Sequence, residues 1–354
     1  MTFERYFAAA RPRLERDLEA FLAAKRGGVA RLRPWGREVL DRLAAFTRAG
    51  KMIRGVLVSL GCEMAGARSG AASVRAGTAL ELIQSGLLIH DDIMDRDPLR
   101  RGGPSVHEQY RLLAPEPCGP GAAHYGTSLA ICAGEIAIFL AFEAVASLTG
   151  PPERAAAVQR LFASEFGLVG LGQMLDVEAG SAARALPERR ILDIYRYKTA
   201  RYSFYLPFAA GWAIGGGAGR VRPALERLGE DLGLVFQIKD DELGLFGSPD
   251  ETGKPVGSDI REGKKTLYAA GLLRRSEGTD AERLAAVLGH PDASGEDIAF
   301  VRDLAVRLGV TAEAGRIMSG LARRARREIE ALPVGEGHQE ALQGLLDYIL
   351  NRTS

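Results

Sequence analysis

Two apolar helical stripes in this chain each run into a pair of adjacent aspartates, and that pattern limits the fold more than anything else in the sequence. Between Pro223 and Leu245, the residues Leu225, Leu228, Leu232, Val235 and Ile238 recur at steps of three and four, the spacing of one buried face of an α-helix. This stripe ends on Asp240-Asp241-Glu242. Leu80, Ile83, Leu87 and Leu88 repeat the pattern ahead of Asp91-Asp92-Ile93-Met94-Asp95. Alternating runs bounded by turn residues, the signature of strands, are missing. The sequence therefore predicts an all-α fold of ten or more helices. Proline and glycine break it at 98–104, 115–121, 215–219, 246–263 and 290–295. No linker, repeat or shift in composition divides the 354 residues, so a single large helical domain covering 1–354 is expected.

Composition removes several functions. Lys and Arg number 46 against 45 Asp and Glu, a net charge of +1, which does not suit a whole-chain nucleic-acid binder. Cys62, Cys118 and Cys132 form neither a CxxC pair nor an even framework. A disulfide scaffold or structural zinc site is not expected, and a reducing, cytoplasmic compartment is. Residues 1–26 carry Glu4, Glu15, Asp17 and Glu19 among their basic residues, which suits neither a signal nor a transit peptide. The one membrane-like run, Thr127 to Leu148, contains Glu135 and Glu143. It reads as a buried core helix rather than a membrane span, because carboxylates inside a bilayer are costly.

The acidic clusters point to metal chemistry. On a helix Asp91 and Asp95 share a face, with Asp92 three residues from Asp95. Three carboxylates there repel one another unless a cation cancels their charge, and oxygen donors of this kind suit Mg²⁺. The second cluster lies at a helix C-terminus, where the backbone already carries partial negative charge. Gln237 stands three residues before Asp240, on the same side. A solvated acidic helix end is the competing reading of each cluster. Basic residues are distributed in a complementary way: Lys51 and Arg54, Arg100-Arg101, Lys198, Lys254, and Lys264-Lys265. Carboxylates with Mg²⁺, together with several Lys and Arg, describe a site for diphosphate groups. A GxxxxGK[ST] phosphate loop, a GxGxxG after a strand, a GxSxG elbow and an HExxH pair are all missing. His90, next to Asp91, is either a partner of that cluster or an ordinary core histidine.

These residues resemble the trans-isoprenyl diphosphate synthases, the polyprenyl synthetase family, and within it geranylgeranyl diphosphate synthases most. The motifs run in the family's order: GKxxR at 50–54, DDxxD at 91–95, RRGGP at 100–104, GQ at 172–173, KTA at 198–200, FQxxDD at 236–241 and GKPVGSDIREGKKT at 253–266. The resemblance implies the isoprenoid synthase fold, helices around a deep central cavity, and a homodimer using two to three Mg²⁺ ions, with Mn²⁺ as a substitute. It implies catalytic roles for Asp91, Asp92, Asp95, Arg100, Lys198, Asp240 and Asp241, and direct metal ligation by Asp91, Asp95 and Asp240. Lys51, Arg54 and Arg101 correspond to residues on isopentenyl diphosphate. Arg100, Lys198, Lys254 and Lys264 correspond to residues on the allylic diphosphate, whose site Thr199 and Gln237 also line.

The chain departs from the family in places. Gln84 replaces a common histidine and still donates a hydrogen bond to phosphate. Gly244 occupies the last position of the second DDxxD, which puts only water-mediated metal contacts in question. Ile83, Gly86 and Leu87, on the helix that carries the first motif, would border the growing product. None is aromatic, so a product longer than fifteen carbons is expected, geranylgeranyl diphosphate (C20) first. Gly86 has a second reading, close packing against another helix. The expected reaction is Mg²⁺-dependent ionisation of the allylic diphosphate, condensation with isopentenyl diphosphate, and proton loss. A class I terpene cyclase and a non-catalytic subunit of a heteromeric synthase are the alternatives. The first has no use for a second diphosphate site, and the second tends to lose aspartates that this chain keeps.

Overall fold

The computed structural model describes residues 2–115, 119, 121–180, 185–247 and 257–352. Among them the only strands are two residues each, Leu99–Arg100 and Gly103–Pro104; everything else regular is helical. The chain divides into two compact units, Met1–Phe162 with Pro207–Gly219, and Ala163–Leu206 with Arg220–Ser354.

The first unit holds α1 (Phe3–Val29), α2 (Trp35–Arg48), α3 (Ile53–Met64), α4 (Ala71–Met94), α5 (Val106–Arg111) and α6 (Gly121–Ala146). It also holds the start of α7 (Pro152–Gly180) and nearly all of α9 (Leu206–Ile214); α8 (Glu188–Tyr195) belongs to the second unit. α4 is the core element, with α1, α2, α3, α5 and α6 packed on it. Val74, Ala76, Ala79, Leu80, Leu82, Ile83 and Ile89 are all buried, so the helix is covered nearly all round rather than along one stripe. A helix in that position needs close neighbours, and Gly86 admits one. A Cβ at Gly86 would lie 2.8 Å from the Gly134 carbonyl oxygen and 2.9 Å from Ile138 Cγ1 of α6. The missing side chain at Gly86 therefore serves helix packing.

α6 corrects the expectation of a buried core helix. One face, Ala130, Ala133, Ala137, Ala141 and Ala144, is buried. The opposite face exposes Ile131, Ile136 and Phe139, the last at 67%. With a mean hydropathy of 2.0, α6 is the one helix among the described residues long and apolar enough to cross a membrane. Its exposed face also carries Glu135, as well as Glu143, which pairs with Lys25.

The second unit is organised on α10 (Arg222–Phe246), which begins with Pro223 in its first turn, where a missing N–H costs nothing. The stripe read from the sequence is its buried face: Leu225, Leu228, Leu232, Val235 and Ile238 are all at 0% exposure. The unit also holds α8, the π-helical segment Arg196–Tyr205, α11 (Ser258–Glu262), α12 (Leu267–Arg275), α13 (Gly278–Val287), α14 (Gly295–Arg307), α15 (Val310–Ala331) and α16 (Glu336–Asn351); of these α8, the π-helical segment, α11, α12, α15 and α16 pack on α10. Thr266 caps α12 by accepting a hydrogen bond from Ala269 N at 3.1 Å.

Candidate active site

The end of α4 presents the first acidic cluster, and the backbone fixes how it ends. Asp95 N donates to Asp91 O (2.8 Å) and Asp97 N to Asp92 O (2.9 Å). Arg96 between them turns left-handed at φ 57°, closing the helix, and Pro98 prevents its continuation. A hairpin follows in which Leu99 pairs with Pro104 and Arg100 with Gly103. Its two-residue turn, Arg101-Gly102, has φ of 56° and 76°, the pair of left-handed residues that a type I′ turn requires. Met52, in GKxxR, has φ 57° and starts α3. Met52, Arg96 and Arg101 are the only non-glycine residues with positive φ among those described. Such backbone costs about 1–2 kcal/mol per residue and gathers at functional sites.

Charges are sorted at this end. Asp92 is fully buried and accepts from Arg100, whose Nε donates at 2.7 Å. Arg100 also reaches Asp97 at 3.3 Å. Burial opposes the Arg100 charge, but Asp92 and Asp97 more than offset it, and the guanidinium is held more firmly charged than usual. Asp92 thus positions Arg100, while Asp91 and Asp95 stay half-exposed on the helix end. Arg101 bonds the Phe46 carbonyl and lies over the Phe46 ring, 4.9 Å from its centre. A Cβ at Gly50 would be 2.7 Å from Arg101 Nη2, so GKxxR and RRGGP abut. Burial lowers the Arg101 pKa, buried Glu81 raises it, and Arg100 and Arg54 lower it further. Guanidinium groups are the side chains best suited to phosphate oxygens. Glu81, missed in the sequence, is buried and accepts from Gly55 N at 2.7 Å; burial raises its pKa, which Arg54 and Arg101 work to lower. Lys51 is exposed beside them and Gln84 is buried on α4. Ile83 is buried and Leu87 half-buried on the same helix. His90 faces away: its Nε2 meets Ile131 O at 3.2 Å and its ring fills the space beside Gly134, which makes it a packing histidine.

The second unit gathers the other motifs. Lys198 and Thr199 sit in the π-helical segment, a rare geometry frequent at functional sites. Gly172 of the GQ motif lets α7 approach it: a Cβ there would be 2.5 Å from Lys198 N. Lys198 Nζ donates to Asp176 at 2.5 Å; Asp176 lies four residues after Gly172 and was not singled out in the sequence. On α10, Asp241 is buried and accepts from Tyr195 OH and from Gln237 Nε2, the latter at 2.9 Å. Tyr195 OH in turn accepts from Leu267 N at 3.0 Å. Burial and the neighbouring Asp259 carboxylate push Asp241 well above the usual carboxylate range. Asp240 is 56% exposed and pairs with Arg352 at 2.7 Å. Arg352 also lies over the Phe236 ring, 3.8 Å from its centre. Lys264 pairs with Glu262 at 2.8 Å. Lys254 lies outside the described residues. Neither Tyr195 nor Arg352 belongs to a motif; only the folded chain brings them to the aspartates.

The sequence profile of the polyprenyl synthetase family matches residues 34–304. A short chain isoprenyl diphosphate synthase of Methanothermobacter thermautotrophicus is 35% identical over 87% of this chain and 88% of its own length. A nonaprenyl diphosphate synthase of Mycobacterium tuberculosis is 33% identical over 94% of both. Among solved structures, a geranylgeranyl pyrophosphate synthase from Corynebacterium glutamicum, complexed with isoprenyl diphosphate and magnesium, superposes with a TM-score of 0.90 at 29% identity, over 99% of this chain and 100% of that one. From the motif order, the helix ends that carry the carboxylates and these similarities together, the chain belongs to the polyprenyl synthetase family.

Proposed function

We propose that this chain is a trans-isoprenyl diphosphate synthase, which joins isopentenyl diphosphate to an allylic diphosphate and releases inorganic diphosphate. The observation that carries the reading is the grouping of Arg54, Arg100 and Arg101 at the helix end that presents Asp91 and Asp95. Guanidiniums suited to a diphosphate stand with carboxylates suited to a cation.

The donor set fits Mg²⁺, which takes hard oxygen ligands and keeps several waters; Mn²⁺ would be accepted by the same oxygens. Asp91 and Asp95 are half-exposed and four apart on one helix face, whereas Asp92 is committed to Arg100. Asp91, Asp95 and Asp240 would hold two to three ions, whose chemical contribution when bound is Lewis-acid stabilisation of the leaving diphosphate. Arg100, Lys198, Lys254 and Lys264 hold the allylic diphosphate and offset its growing charge as the carbon–oxygen bond breaks. Lys51, Arg54, Gln84 and Arg101 hold isopentenyl diphosphate so that its double bond meets the allylic cation. A carbon–carbon bond forms, and a proton leaves to the departing diphosphate. Thr199 and Gln237 line the allylic site, and apolar walls exclude water that would trap the cation. Asp92 and Asp241 act as positioning residues. The chain 1–354 works as a single catalytic domain.

The product is longer than fifteen carbons, with C20 first, because Ile83 and Leu87 offer no aromatic floor, whereas Gly86 faces α6. The relatives' names do not fix this length, since they run from short-chain to nonaprenyl. The exposed face of α6, with Ile131, Ile136 and Phe139, meets the same face of a second copy, giving a homodimer. The free thiols Cys62 and Cys132 suit a cytoplasmic setting.

Purified chain incubated with labelled isopentenyl diphosphate, Mg²⁺ and each allylic primer in turn tests the reading, with chromatography of the dephosphorylated products. Chain elongation that stops when the metal is chelated supports it. A hydrocarbon released from the allylic diphosphate alone would identify a cyclase instead, and silence with every primer a non-catalytic subunit. Light scattering of wild type and Phe139→Glu tests the dimer, which the charge should split.

A further inference from the structure

No step of the reaction uses Arg201, yet it stands three residues after Lys198 in the π-helical segment. Its side chain is only 10% exposed and is surrounded by carboxylates. Nε and Nη2 donate to the two oxygens of Glu165 on α7, each at 2.8 Å. Nη1 donates to Glu226 at 2.7 Å and to Glu230 at 2.5 Å, both on α10. The two edges of one planar group thus reach two different helices. Glu165 is buried, at 3%. Burial opposes the Arg201 charge, and the three carboxylates more than offset it. Glu230 has a second partner: its other oxygen accepts from Arg196 Nε at 3.2 Å. Arg196 and Arg201 are five residues apart. On an α-helix the neighbours of a residue are three and four positions away, and a residue five away faces elsewhere. In a π-helix the backbone repeats from i to i+5, which brings such a pair together. One carboxylate that holds both arginines therefore favours the π winding. All of these residues lie in the second unit.

A buried ion cluster is weak evidence for stability, because desolvation consumes most of what the attraction returns, and apolar residues of similar volume often serve a fold as well. The elements have other means of staying together: Gly172 lets α7 touch the segment backbone, and α10 packs along it. We propose that Arg201, with Arg196 as the second partner of Glu230 and Glu165 as its anchor on α7, holds the segment in its π winding, and that this winding presents Lys198 and Thr199 to the allylic diphosphate. Arg201 is a positioning residue that acts through Lys198, and the inference rests on the allylic role given to Lys198 above.

Arg201→Met combined with Glu165→Leu removes the buried pair as a unit and strands neither charge. Circular dichroism and thermal melting check the fold. Steady-state kinetics with isopentenyl diphosphate and with the allylic primer that the wild type elongates fastest read the two sites separately. The double variant should melt close to wild type, raise KM for the primer about tenfold and leave KM for isopentenyl diphosphate within about twofold, since a misplaced binding group is felt only by the ligand it serves. Arg201→Lys keeps the charge but not the fork, and should raise the primer KM to the same extent. Glu230→Gln, left with one acceptor for two arginines, should raise it about fivefold. Should the double variant fail to fold, the two single variants decide. A wild-type primer KM in the folded variants, or an equal rise in KM for both substrates, would overturn the inference, and if Lys198→Ala still raises the primer KM the allylic reading stands. An unchanged primer KM in Lys198→Ala would overturn both.

Discussion

The two acidic helix ends divide their labour in the same way but neutralise it differently. In each doublet one aspartate turns inward and the other stays accessible: Asp92 and Asp241 are buried, Asp91 and Asp240 are not. At the end of α4 the inner carboxylate meets a guanidinium, that of Arg100. At the end of α10 its partners among the described residues are neutral donors, the Tyr195 hydroxyl and the Gln237 amide. The inner aspartate of the first end is balanced by an ion pair, whereas that of the second has the Asp259 carboxylate as a neighbour, which raises its pKa. One inner aspartate is held by an ion pair, the other by hydrogen bonds.

The largest expected effect sharpens this contrast. Asp92→Ala takes the nearer carboxylate from a guanidinium that is only 15% exposed and leaves it Asp97 at 3.3 Å, and breaking a buried pair from one side costs about 3–5 kcal/mol. Asp241→Asn keeps an oxygen for the Tyr195 hydroxyl and removes an unneutralised buried charge, so stability should move by no more than about 1 kcal/mol. Urea denaturation of the two variants decides; equal losses would break the distinction. Next come the outer residues. Asp91→Ala and Asp95→Ala should keep the wild-type circular dichroism and lose turnover by about 10²–10³, the scale of removing one charge-stabilising group. Near-normal turnover with Mg²⁺ would remove them from the metal site.

Smaller effects separate the substrates. Lys51→Ala and Arg54→Ala should raise KM for isopentenyl diphosphate about tenfold, the worth of a charge-assisted hydrogen bond. Lys198→Ala and Lys254→Ala should raise KM for the allylic primer instead; the same shift for both substrates in all four variants would merge the two sites. Smallest is Arg352→Ala. Releasing Asp240 from a pair worth at most about 1 kcal/mol should lower the Mg²⁺ concentration for half-maximal turnover by up to about fivefold. A raised requirement would mean that Arg352 supports Asp240 rather than competing for it.

Much of this was legible in the chain. The stripe Leu225 to Ile238 is a buried face because period and burial are one fact on a helix. The motif order marked both acidic ends and the basic residues around the first. Three things were not legible. Gly86 announced a missing side chain but not what fills the space; the α6 backbone does. The Thr127–Leu148 run announced an apolar helix but not which face the chain leaves uncovered, since hydropathy has no direction. Tyr195, Arg352 and Glu81 act through tertiary contacts with residues 46, 112 and 26 positions away, and no local pattern encodes such distances.

The π-helical segment has a consequence for length. α10 approaches it at two glycines: Gly233 meets Ala200, and Gly229 meets Tyr205. Four residues on one strand of this contact are matched by five on the other, like the two scales of a vernier. An ordinary α-helix would match four with four. Removing one residue from this stretch, Ser203 for instance, would let both glycine contacts form against a regular helix, so the packing alone has no need of the extra residue. What the extra residue does is swell the turn that follows Lys198 and Thr199. A chain shortened there should fold, dock α10 as before, and use its allylic primer poorly, which would mark the surplus residue as the property of a substrate rather than of the fold.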